Sequence, residues 1–406
     1  MSQAAPATSE AINAVVPRAW TGVPKKFSGL LALDDFEIAA RRRLPKMYHS
    51  FAADGSETNS ALRANRESFS RYALLPRALI DVAGRSGARE LFGKDWSAPF
   101  GIAPMGGAGM FAFEGDLALA EAAGAENIPF IMSASSIVKL EEVQQRNPEA
   151  WFQAYLPGDP ARIEPMLPRL QAAGYRTLVI TADVPVLSNR ENNTRNGFSM
   201  PLKITPRTLA QLAARPRWLC GTILKTFIRR GMPHFENMDA VRGPPMLSQG
   251  SMRNFNDRDK LSWAHIALIR KRWSGKLIVK GLLAADDTRL AREAGADGVI
   301  ISNHGGRQLD CAVAPLVVLA EAKAQAGGMA VMLDGGIRRG TDILKALALG
   351  ADFVFIGRPF LFAASIGGAD CVRHAISLLK EEVSRDMALL GVNALDEATP
   401  EFARAV

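Results

Sequence analysis

The feature that most constrains this chain is a phrase repeated four times: a helix-forming stretch, a glycine, a few residues, then a short apolar run. It reads "AAGAENIPFIM" from Ala122, "AAGYRTLVIT" from Ala172, "EAGADGVIIS" from Glu293 and "ALGADFVFIG" from Ala348. Gly124, Gly174, Gly295 and Gly350 stand where a helix ends and a left-handed residue is needed, a conformation glycine reaches without steric cost. Each is expected to join a helix to the strand that follows.

Short β-rich runs predict eight strands: Phe100–Ala103, Phe130–Met132, Trp151–Tyr155, Thr177–Thr181, Lys276–Lys280, Gly298–Ser302, Ala330–Asp334 and Phe353–Gly357. Apolar strands separated by room for a helix form a parallel sheet covered on its outer face. Eight such units point to the α/β class and a closed (β/α)8 TIM barrel. The interval between the fourth and fifth runs is too long for one crossover and predicts an excursion. Ahead of the barrel, residues 1–30 read as a flexible arm and 31–90 as a helical cap over one barrel mouth, with Gly55 as a break. Residues 31–395 read as one domain that contains the basic excursion at 192–260, and 396–406 read as a tail.

At 406 residues and 48% hydrophobic content the chain can bury one large core. Cys220, Cys311 and Cys371 are odd in number and widely spaced, so neither a disulfide framework nor a metal site is expected. The first residues lack a basic start followed by an apolar core. No uncharged apolar run reaches the roughly eighteen residues a spanning helix needs. A reducing cytoplasm is the expected setting. The net charge is +8, and Asn192 to Phe235 holds eight basic residues and no acidic one, so this segment equals the whole excess.

Barrels of this kind do chemistry at the C-terminal ends of their strands, so the residues just past each apolar run form the candidate site. They are Pro104, Met105 and Gly106; Ser133; Gln153 and Tyr155; Thr181 and Asp183; Lys280; Ser302, His304 and Arg307; Asp334, Gly335, Gly336, Ile337 and Arg338; Gly357 and Arg358. Singly, each is more often structural. Together they indicate a functional site. The glycines of "LDGGIRRG" and "IGRP", each followed by arginine, stand where barrels bind phosphate through backbone N–H groups, which implies a phosphorylated cofactor or substrate. "GAGMFA", Gly107 to Ala112, fits a dinucleotide fingerprint, but the length of chain before it and the separate phosphate site argue against a nicotinamide reading.

The stretches "SNHGGRQLD", "LDGGIRRGTDILKALALGADFVFIGRP", "LPKM" and "WFQAY" resemble the FMN-dependent 2-hydroxy acid oxidases and dehydrogenases over about residues 30–395, in wording nearest the mandelate dehydrogenase branch. The resemblance implies FMN as cofactor and oxidation of an (S)-2-hydroxy monocarboxylic acid to the 2-oxo acid. It makes His304 the base, with Asp183 stabilising its imidazolium. Arg307 and Arg190 would hold the substrate carboxylate, Tyr155 would hydrogen-bond the substrate, and Lys280 would offset charge on the flavin. Pro104, Met105, Gly106, Ser133, Gln153, Thr181 and Ser302 would meet the ring and ribityl chain. Asp334, Gly335, Gly336, Ile337, Arg338, Gly357 and Arg358 would take the ribityl end and phosphate. A homotetramer is implied too. A soluble oxidase that releases peroxide and a non-catalytic flavin-binding module are the alternatives.

Three positions depart from the family pattern. Phe51 stands where many members have a tyrosine that helps hold the carboxylate, Ser135 where glycolate oxidases have tryptophan, and Gly106 where many have alanine. All three imply a roomier, more apolar pocket, favouring mandelate-like aromatic or long-chain acids, with lactate next. In "RWLCGTILKTFIRRG", helical spacing predicts Leu219, Ile223 and Phe227 on one side beside Cys220, Leu224 and Ile228, with Lys225 and Arg229 opposite. Such a face suits a membrane interface better than a solvated loop, and no nucleic-acid partner is expected. Members that use membrane quinone carry a segment of this kind here. The resemblance therefore implies a peripheral protein on the cytoplasmic side of the membrane, meeting the membrane surface or quinone through residues 192–235.

Overall fold

The computed structural model describes residues 22–199, 201, 203–248 and 257–406. Eight parallel strands form one sheet: β1 (Phe100–Ile102), β2 (Ile131–Ser133), β3 (Trp151–Ala154), β4 (Thr177–Thr181), β5 (Lys276–Leu282), β6 (Gly298–Ile301), β7 (Ala330–Asp334) and β8 (Phe353–Ile356). β8 pairs with β1, and a parallel bridge between Ile102 and Phe130 closes the seam to β2. The expected (β/α)8 barrel is the observed one, with strand ends within two residues of those predicted.

Alternation along each strand divides two apolar sets. Ile131, Trp151, Val179, Ile278, Ile300, Met332, Phe353 and Phe355 fill the barrel, while Leu178, Ile180, Val279 and Ile301 pack outward under the helices. An antiparallel hairpin, Arg89–Leu91 with Lys94–Trp96, adds Leu91 and Trp96 to the inner set. Because Trp151 and Phe353 begin their strands, the hairpin plugs the N-terminal mouth. The opposite mouth is left for the site.

Gly174, Gly295 and Gly350 are left-handed as expected, with φ of 95°, 86° and 110°. Gly124 is not: it lies inside the helix Gly115–Ala125, and Asn127 takes the left-handed place instead at φ 47°. Asparagine tolerates that region, and its side-chain amide donates to the Asp95 carbonyl at 3.1 Å.

The cap has three helices, α1 (Leu33–Arg43), α2 (Lys46–Ala53) and α3 (Ser60–Ser70). Helix ends at Ser70 rather than near residue 90, because Pro76, Gly84 and Gly87 interrupt the following stretch. Tyr72–Leu74 pairs antiparallel with Ala403–Ala405, which ties the end of the chain to the cap. Of the predicted arm, residues 1–21 lie outside the described residues; Lys25–Phe27 forms a turn whose Phe27 is buried and stacks on His374.

Between β4 and β5 the excursion has helices Glu191–Asn196 and Pro206–Ala213, then a helical run from Pro216 to Arg230. Residues 200, 202 and 249–256 of the excursion lie outside the described residues. Leu219–Leu224 is a π turn, whose wider winding rotates the faces relative to the regular helix expected. Consequently Leu219 and Ile223 pack on the core beside buried Trp218, while Leu224, Phe227 and Ile228 are exposed. The predicted grouping of Leu219 and Ile223 with Phe227 is thus split. Among the described residues no helix is long and apolar enough to cross a membrane.

Candidate active site

After β6 the chain enters Ser302, Asn303 and His304. His304 has φ 59°, and Gly305 and Gly306 follow at 65° and 72°, so three left-handed residues in a row double the loop back. For a non-glycine residue this conformation costs roughly 1–2 kcal/mol, and the surroundings enforce it. The His304 N–H donates to Ser302 Oγ at 3.0 Å, and the Asn303 and Asn65 amides bond reciprocally at 2.7 Å, fastening the loop to α3. The imidazole and the Arg307 guanidinium then reach one cavity.

His304 Nδ1 lies 2.9 Å from Asp183 Oδ1, and Nε2 faces Tyr155 Oη at 3.4 Å. A carboxylate accepts but does not donate, so the neutral ring keeps its proton on Nδ1 and leaves Nε2 free to accept one. Burial pulls the His304 pKa below its ordinary value despite the opposing pull of Asp183, and Lys280 and Arg190 add to the lowering. Burial alone would raise Asp183, but His304 and Lys280 outweigh it and hold the carboxyl below the usual range. Room for that carboxyl comes from β5, whose register shifts at Gly281. Gly281 has φ 102°, and a Cβ there would lie 2.6 Å from the Asp183 carboxyl carbon.

Lys280, on β5, is buried with Nζ 2.9 Å from Asp334 Oδ2 and 2.7 Å from Ser302 Oγ. Burial opposes its charge, but Asp334 and Asp183 more than compensate and its pKa is raised. Arg307 is held from the cap: Nη1 donates to the carbonyls of Phe51 at 2.7 Å and Asp54 at 2.9 Å. Burial, with Arg190 and Arg358 nearby, pushes its pKa well down. Arg190 donates from Nε to Ser188 Oγ at 3.0 Å and from Nη2 to Gln308 Oε1 at 3.1 Å.

At the mouths of β7 and β8, Gly335 and Gly336 have φ 103° and 86°, and a Cβ on Gly336 would strike the Asn65 carbonyl oxygen at 2.2 Å. Arg338 Nε lies 3.3 Å from Asp34 Oδ1, and Arg358 donates to the carbonyls of Ala52 and Gly305. Burial and Arg338 bring the Arg358 pKa down to about 10.

These groups surround one cavity of about 590 Å³. Its lining includes Phe51, Pro104, Met105, Gly106, Ser135, Tyr155, Thr181, Arg190, Lys280, His304, Arg307, Asp334–Arg338, Gly357 and Arg358. Asp183, Ser133, Gln153 and Ser302 stand behind that lining: Asp183 under His304, Ser302 under Lys280, and Ser133 donating to Gln153 Oε1 at 2.9 Å. "GAGMFA" forms a short turn, Ala108–Met110, on the cavity wall, and the next helix begins only at Gly115. Sequence reasoning missed Phe198, whose ring centroid is 4.3 Å from that of Phe51, and Arg258, which enters the wall from the far end of the excursion. No local spacing marks either, since both arrive by tertiary docking.

Residues 40–405 match the family of FMN-dependent dehydrogenases. The chain belongs to that family. It is 36% identical to an (S)-mandelate dehydrogenase of Pseudomonas putida, over 92% of this chain and 93% of that protein. It is also 36% identical to an L-lactate dehydrogenase of Alcaligenes faecalis, over 91% of this chain and 97% of the relative. A crystal structure of monotopic membrane protein (S)-mandelate dehydrogenase superposes with a TM-score of 0.87 at 35% identity, covering 93% of this chain and all of that one. The site fits the family's FMN. Gln153 Nε2, Thr181 Oγ1 and Asp334 Oδ1 are buried on β3, β4 and β7 with no hydrogen-bond partner among the described residues, an amide donor, a hydroxyl that donates or accepts and a carboxylate acceptor suited to the polar edge of a flavin and its ribityl hydroxyls. The glycine turn beside Arg338 and Arg358 suits a phosphate dianion.

Proposed function

We propose that this FMN enzyme oxidises (S)-2-hydroxy acids with an aromatic or long side chain to 2-oxo acids and delivers the electrons to membrane quinone. The observation that carries the reaction is the convergence, in one cavity, of the His304–Asp183 pair with Arg190 and Arg307. The two guanidinium forks would bind the substrate carboxylate, fixing the carbinol carbon near His304. Tyr155 Oη would hydrogen-bond the substrate, and His304 Nε2 would take a proton from the carbinol centre, with Asp183 stabilising the imidazolium. Bound FMN supplies the two-electron acceptor. Lys280 holds positive charge where negative charge develops.

Side-chain preference follows from Gly106 and Ser135, which add little bulk to the wall, and from Phe51 and Phe198, whose rings make part of it apolar. Such contacts discriminate by only about 1–3 kcal/mol each, so lactate is a poorer substrate and not an excluded one. The exposed Leu224, Phe227 and Ile228 beside Arg229 support peripheral attachment to the cytoplasmic face of a membrane, and the relative described as monotopic points the same way. A homotetramer belongs to the same reading, and light scattering of the detergent-extracted enzyme tests it. Purified protein should be yellow and should bleach anaerobically with a panel of 2-hydroxy acids. Protein that stays colourless after FMN reconstitution, or that no acid in the panel bleaches, would overturn the reaction. Peroxide formation at the full turnover rate would overturn the quinone assignment.

A further inference from the structure

Arg258 lines the cavity beside Tyr155, is 6% exposed, and places its guanidinium carbon 4.5 Å from the Tyr155 ring centroid. Tyr155 Oη is the atom facing His304 Nε2, so the width of one tyrosine separates Arg258 from the reacting centre. The position is built. Asp257 adopts φ 64°, and its carbonyl accepts from the Gly158 N–H at 2.7 Å. Arg258–Lys260 then forms a single turn lying so close to the loop after β3 that a Cβ on Gly158 would be 2.3 Å from the Lys260 carbonyl carbon. The excursion thereby delivers a cation beside Tyr155 through a contact only glycine permits.

We propose that Arg258 determines substrate specificity by binding a second carboxylate at the far end of the substrate side chain, so that the favoured acids are 2-hydroxy dicarboxylates with a short carbon spacer. This rests on the 2-hydroxy acid reading above, narrows its long-side-chain preference to chains that end in a second carboxylate, and replaces the monocarboxylate expectation drawn from the sequence. Arg190 and Arg307 already suffice for one α-carboxylate and Arg338 and Arg358 for the phosphate, so Arg258 adds positive potential to the lining beyond what those groups require. Burial lowers the Arg258 pKa to about 10, which leaves it charged at neutral pH. Magnitudes favour charge over shape. Apolar contacts discriminate by about 1–3 kcal/mol each, whereas a site built to bond a polar group rejects the analogue that lacks it far more strongly.

The test compares (S)-2-hydroxyglutarate with (S)-2-hydroxypentanoate, which share a five-carbon chain and differ in the terminal carboxylate. In the natural protein kcat/KM should favour the dicarboxylate by at least about tenfold. Arg258→Met should lower that ratio by at least about tenfold, and Arg258→Lys should retain part of it. A ratio taken on one preparation is independent of the fraction of folded enzyme. Flavin bleaching by both acids, with a ratio below one or one unmoved by Arg258→Met, overturns this inference alone. Bleaching by neither of these two acids while mandelate bleaches the flavin also overturns this inference alone; bleaching by no acid of the panel, with FMN bound, overturns the reaction and this inference with it.

Discussion

The His304 ring and the Asp183 carboxylate meet at 2.9 Å, although neither belongs to the regular part of its strand. Both are placed by unusual backbone: a left-handed His304 after β6, and a shifted β5 at Gly281 that opens space for Asp183. The pair holds a proton on Nδ1 and presents Nε2 to the cavity. His304→Ala should therefore keep FMN, since the residues proposed to hold its phosphate, Arg338 and Arg358, lie at β7 and β8, but lose turnover by about 10²-fold or more. Flavin content by absorbance and kcat on the same sample test this, and a normal rate would remove His304 from the reaction.

In the proposed role of base His304 must be neutral, and burial lowers its pKa from the ordinary 6.5. Protonation on acidification should switch activity off, with the midpoint of the acid limb of kcat/KM below 6.5. Asp183 opposes the lowering, so Asp183→Asn should move the midpoint to still lower pH while reducing the rate. An acid limb centred above the ordinary imidazole value, or one that rises in Asp183→Asn, would contradict the assignment.

Gly281→Ala should damage both stability and rate. A side chain at φ 102° is strained, and its Cβ would press on Asp183 at 2.6 Å. The strain should cost about 1–3 kcal/mol, read as a lower melting temperature. Displacing Asp183 should lower kcat more than KM rises. A variant with natural Tm and kcat would show that β5 tolerates a side chain here and that the bulge does not position the pair.

Much of this was legible in the sequence because barrel strands are continuous apolar runs with polar groups just beyond them. His304, Arg307, Lys280 and Asp334 each follow or end such a run, so local order alone brings them to one rim. The positions that escaped depart from regular periodicity or depend on distant chain. Gly124 and Asn127 exchange roles because the helix continues to Ala125. The π turn in Leu219–Leu224 rotates a face that regular periodicity assigns otherwise. Arg258 reaches the cavity through a close approach of two loops about a hundred residues apart, and no periodic pattern reports such a contact.

The π turn also defines how membrane attachment is tested. Replacing all of 192–235 would strip cavity walls, because Asn193, Thr194, Phe198 and Ser199 line the site. It would remove Trp218 as well, which is fully buried and donates from Nε1 to the Phe111 carbonyl at 3.2 Å. Phe227 and Ile228 are 39% and 80% exposed and line no part of the cavity. The double substitution Phe227→Ser, Ile228→Glu should therefore move the enzyme from the membrane pellet to the supernatant while anaerobic bleaching by substrate persists. Trp218→Ala should instead cost about 3–5 kcal/mol of stability, since it opens a core cavity rather than altering a surface. If the double variant stays in the pellet at low salt and leaves it at high salt, Arg229 and its basic neighbours hold the protein by charge, and the exposed apolar side chains do not anchor it.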